Sequence, residues 1–170
     1  MDLIVTSTMR LLLDNRPEEL TIRDITESVG LHHRYIPDYF GGKAELLAMI
    51  YPQVAQEAAD AVTFPFAPSG VHPNIIRMAR LAVWLSANHP NGVPHAERPL
   101  QERITALLRE QFGLTEDLAE LVFQRLVASV VALAAFPDAV SPNPIDVGKH
   151  IELEMNLLGA YRATNNTSGL

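Results

Sequence analysis

Residues 28–40 read SVGLHHRYIPDYF and set four hydrogen-bonding side chains, His32, His33, Arg34 and Tyr35, just after a glycine, with Tyr39 and Lys43 a short way on. Imidazole, guanidinium and phenol groups carry donors that suit base edges and phosphate oxygens, and a guanidinium can pair bidentately with guanine. A second kind of chemistry is available at His89, His95 and Glu97, three metal-ligand types in one proline-rich stretch. Their spacing lacks the i, i+4 pair that puts two ligands on one helix face, so a metal-dependent enzyme is the lesser alternative. No metal and no cofactor are expected. The chain has no cysteine, which removes thiolate ligands, cysteine nucleophiles and disulfides.

The elements that must position these groups are helical. Apolar residues recur at helical spacing between clusters of proline and glycine at 64–73, 88–99 and 136–144, and no segment alternates as a strand does. A first helix is expected over residues 2–14. A second starts after Thr21, whose hydroxyl suits an N-cap, with Asp24 at the capping-box position, and it stops at Gly30. Gly30 accepts the positive φ of a sharp turn without a Cβ penalty. After a turn of three to four residues, Leu31, Tyr35 and Phe40 can pack inward, leaving His32, His33, Arg34 and one face of Tyr35 outward, which is the layout of a helix-turn-helix. Pro37 is out of place in that layout. With a third helix starting near His33, it removes one backbone bond and crowds the His33 carbonyl, so the helix should end near Ile36 or kink.

The stretch TIRDITESVGLHHRYIPDYFGGKAELL resembles the signature of TetR-family transcriptional regulators, through Thr21, Ile25, Gly30, Leu31, Tyr39, Phe40, Lys43, Leu46 and Leu47. The likeness covers about residues 3–50 and is architectural beyond. It departs at His32, where the family usually has a small hydroxyl residue, and at Pro37, where it has an aromatic. The resemblance implies an all-α fold: a three-helix head over residues 1–48, joined by a connecting helix to a ligand-binding and dimerisation body over residues 49–170. It further implies a homodimer that binds a palindromic double-stranded DNA operator, as a repressor or related regulator, under control of a small-molecule effector. Thr21, His32, His33, Arg34, Tyr35, Tyr39 and Lys43 are the residues expected at the DNA, with Lys43 as a phosphate ligand or a solvated lysine.

The charge balance works against a broad nucleic-acid surface. The net charge is −7, and residues 1–51 hold five basic against eight acidic side chains, so any DNA contact must be local. A helical interaction module with a degenerate DNA-binding head is the other alternative. MDLIVTSTMR lacks the basic region of a secretory signal, and the apolar run at 126–136 falls short of the roughly 18 residues of a membrane span. A soluble cytoplasmic protein is expected.

In the body, the connecting helix over 43–62 should be kinked or split at Pro52. Four or five helices follow, one starting at Thr115 and the last at Asn143 with Pro144 behind it. Residues 118–136 are apolar around most of the helix, and the last helix carries two apolar stripes, so the two should pack against their symmetry copies. Leu126, Val130, Leu133, Ile151, Met155 and Leu158 are the expected interface. Phe64, Met78, Trp84, Leu85, His95, Arg109, Phe123 and Gln124 are the expected lining of a ligand cavity, although Trp84, at helical spacing from Arg77 and Arg80, also suits stacking on an arginine.

Overall fold

The computed structural model describes residues 2–63, 71–94, 98–135 and 147–167, except for the side chains of 133–135, 147–148 and 165–167. Eight helices and no strand occur among the described residues: α1 (Asp2–Asp14), α2 (Ile22–Glu27), α3 (Tyr35–Phe40), α4 (Lys43–Asp60), α5 (Pro73–Asn88), α6 (Pro99–Phe112), α7 (Glu116–Ala135) and α8 (Val147–Thr167). No helix among them is long and apolar enough to cross a membrane.

Local chemistry sets most of the boundaries. Thr21 caps α2 with the full reciprocal box: its Oγ1 accepts from the Asp24 N–H, and the Asp24 carboxylate accepts from the Thr21 N–H at 2.8 Å. Those bonds to Thr21 hold the Asp24 carboxyl below its usual pKa. Pro73 and Pro99 sit in the first turns of α5 and α6, where their missing N–H costs nothing. The Thr115 hydroxyl accepts from the Leu118 N–H at the start of α7. The Asn143 start expected for the last helix lies outside the described residues.

Pro37 is accommodated by a later helix start than expected. Helix α3 begins at Tyr35, so Pro37 is its third residue, among the backbone positions that have no intrahelical acceptor in any helix. Its own carbonyl still accepts from the Gly41 N–H at 3.1 Å, and Asp38 donates to Arg34. The helix therefore loses no bond to the proline, neither kinks nor ends at Ile36, and runs to Phe40. The cost moves to the turn, where residues 28–34 join α2 to α3 instead of three or four. Gly30 holds φ +69° there, and Leu31, expected inside, is 37% exposed; Ile36 is fully buried in its place.

Two apolar clusters organise the packing. The first joins Ile4, Ile25, Ile36, Leu46 and Leu47 with Ile50, Val54, Leu81 and Leu85, so it runs across residue 48 and takes in α4 and α5. The second gathers residues of α6 and α7 around Leu107, Leu108 and Ala119, with Ala59 of α4, Val62 just beyond it and the inner stripe of α8. Helix α4 serves both clusters as one 18-residue helix. It is not split at Pro52, which lies on its exposed side and takes away a single backbone bond.

The joint between the clusters is polar. Arg77 of α5 is only 5% exposed; it pairs with Glu57 of α4 and donates from Nη1 to the Met9 carbonyl of α1 at 3.1 Å. Its Nε has no partner among the described residues. Nearer the turn, the Ser28 hydroxyl donates to the Ile25 carbonyl and has no second hydrogen, so buried Ser7 of α1 is the donor in their 2.6 Å bond.

Candidate functional sites

The residues expected at DNA separate into an outward group and an inward one. His32, His33, Arg34 and Tyr39 are all exposed. The two imidazoles lie 4.1 Å apart, centroid to centroid, and His32 Nδ1 accepts from the Arg34 N–H at 3.3 Å, which orders the turn. Tyr35 is half-buried against the first cluster and stacks on Tyr39 at 4.3 Å, so the inner tyrosine props the outer one. The result is a small platform of two imidazoles, a guanidinium and a phenol at the start of a short helix.

Thr21 and Lys43 are spent on structure. The Thr21 hydroxyl is committed to the cap. Lys43 is half-buried: its Nζ donates to the Pro17 carbonyl at 2.5 Å and lies 4.8 Å from the centroid of the Trp84 ring. Partial burial lowers its pKa, against the opposing pull of Glu18 and Asp24. Trp84 does stack on a cation, but on this lysine and not on an arginine. Loss of a hydrogen bond and a cation–π contact should make Lys43→Met destabilising by about 1–2 kcal/mol in urea denaturation. Arg16 and Arg23 also face glutamates, Glu18 at 4.0 Å and Glu27 at 2.5 Å, so the positive charge at the platform is Arg34's.

A cavity of about 260 Å³ opens in the body between the C-terminal end of α4, α5, α6, α7 and α8. Among the described residues, Met78 is the one expected ligand residue that lines it. Trp84 and Leu85 belong to the first cluster, Phe123 packs on the second, and Arg109 and Gln124 are exposed. Phe64, His95 and Glu97 lie outside the described residues. The cavity wall is built instead by Leu126, Val130, Ile151 and Met155, four residues expected between subunits, together with Ile75, Ile104, Val127 and Val131. Leu158 likewise packs against the second cluster, and the Leu133 side chain is not among those described. Sequence spacing offered no sign of this lining, because a stripe that faces a cavity and one that faces a subunit have the same period.

The stripe left outside is the other one. Leu153, Leu157 and Tyr161 of α8, at i, i+4, i+8 spacing, are 56%, 54% and 46% exposed, and Leu121 of α7 is 54% exposed. The Arg125–Glu154 pair at 2.8 Å and the bond from Arg162 to the Gln111 carbonyl hold α8 to α7 and α6 in this orientation.

His89, the described member of the possible metal group, is turned inward: Nδ1 donates to the Gly92 carbonyl at 3.0 Å, and Nε2 lies 3.3 Å from Glu45. Among the described residues no three His, Asp or Glu side chains stand close enough to hold a metal. No family model matches this chain, and neither does any curated protein or solved structure.

Proposed function

We propose that this chain is a DNA-binding transcriptional regulator of TetR type, acting as a homodimer under the control of a small molecule bound in its body. The observation that carries the reading is the outward platform of His32, His33, Arg34 and Tyr39, held by a buried Ile36 and a capped α2. Base-edge donors on a short rigid element are what groove recognition needs, and a two-fold dimer presents two such elements to a palindrome. Met78 supports the effector side, since it lines the cavity and also packs against both clusters. A ligand that moves Met78 therefore presses on the core beneath the platform.

Selection of bound sequences from random double-stranded DNA tests the reading, and a two-fold site is the expected product. Arg34→Ala should lower affinity for that site by about 1–3 kcal/mol and relax preference at one base pair per half-site. Unchanged affinity and preference in the variant would sink the assignment of the reading face. The acidic balance, with Arg16, Arg23 and Lys43 all engaged within the chain, favours the second reading, a helical interaction module whose head has given up DNA. Failure to enrich any sequence at low salt is its expected outcome.

A further inference from the structure

The chemistry of the body cavity specifies its ligand. Its described wall holds no Lys, Arg, Asp or Glu and no Phe, Tyr or Trp; it is aliphatic side chains and two methionines, Met78 and Met155, with the exposed Thr63 and His72 as the polar groups. An ion placed there would lose its hydration with no counter-charge to replace it. His72 is committed in a definite way: its Nδ1 accepts from the Asn74 N–H at 3.2 Å as the cap of α5, so the nitrogen left for a ligand is Nε2, which then carries the hydrogen. With the Thr63 hydroxyl beside it, this makes one small polar end, suited to a hydroxyl or carbonyl oxygen.

Size narrows the class further. A dry apolar cavity of about 150 Å³ accommodates benzene, with its six carbons, so 260 Å³ corresponds by proportion to about ten non-hydrogen atoms. The methionines, unbranched and polarisable, adapt the wall to flexible chains. From wall, donor and volume together we infer that the cavity binds an uncharged, mainly hydrocarbon molecule of about ten non-hydrogen atoms, carrying at most one oxygen acceptor directed at His72. This names the class of effector for the regulator proposed above and rests on that reading only for its consequence at DNA, not for binding.

Calorimetry on the full chain at neutral pH with octan-1-ol, octanoate and octylammonium tests it, because the three probes share one chain and differ in charge. Octan-1-ol should bind one equivalent per chain, with both ions weaker by at least tenfold. Val127→Phe on α7 and Ile75→Phe on α5 each fill the cavity from a half-buried position, so either one that keeps its wild-type circular dichroism and melting should lose octanol affinity at least tenfold. Equal or tighter binding of either ion, full octanol affinity in a folded filled variant, or no binding of any probe would overturn the inference. Octanol that binds at this site yet leaves DNA retention unchanged supports the ligand class and removes the regulatory reading alone.

Discussion

Leu157→Glu should convert a wild-type homodimer into a monomer that remains folded. In a two-fold interface each residue occurs twice, so one substitution withdraws two leucines from the contact and sets two carboxylates in their place. A leucine passing from full exposure to full burial gains about 1.5–3 kcal/mol, and with 54% of each Leu157 left for the partner to cover the loss is about 1.5–3 kcal/mol, a weakening of about ten- to a hundredfold in dimerisation before any repulsion of the carboxylates. Leu157 is more than half exposed in the chain itself, which is why the fold should survive. Val130→Glu makes the contrast. Val130 is 9% exposed and lines the cavity, so a glutamate there should lower stability steeply instead of only separating subunits. Sedimentation velocity at micromolar concentration, read beside a melting curve, separates the two. A wild-type monomer, or a Leu157→Glu dimer as tight as wild type, would rule out the α8 stripe as the interface.

Glu57→Ala is expected to be among the most destabilising single changes in the molecule. The carboxylate is part-exposed, but the Arg77 guanidinium it meets is nearly enclosed, so removing Glu57 strands a buried cation. Breaking such a pair from one side costs about 3–5 kcal/mol, and the lower end applies because water reaches the Glu57 side. For a chain of 170 residues about 3 kcal/mol corresponds to a fall of about 6–12 °C in Tm. Arg77→Met combined with Glu57→Gln removes the charge from both sides and should cost less than Glu57→Ala alone, leaving mainly the loss of the Arg77 bond to the Met9 carbonyl. Calorimetric Tm values for the single and double variants decide it; a double variant no more stable than Glu57→Ala would mean that the pair is not what holds α1, α4 and α5 together.

Sequence alone determined the features that depend on a few neighbouring residues. The all-helical class, the Thr21 and Thr115 starts and the positive φ at Gly30 all follow from local hydrogen bonding and backbone sterics, and each is found in the structure. Where a proline could be satisfied in two ways, locality was not enough. Pro37 was legible as a break, but whether the helix stops before it or starts just ahead of it depends on burial of Ile36, and that is a contact with other helices. Lys43 and Trp84 meet across 41 positions of chain, so neither shows its partner in its own surroundings. The two apolar stripes of α8 mattered most. Their period marks both as apolar without saying which is covered, and only the packing of α8 on α6 and α7 turned Ile151 and Met155 toward a cavity and left Leu153, Leu157 and Tyr161 outside. Hydrophobic burial has no direction of its own, so the tertiary arrangement decides what covers each face.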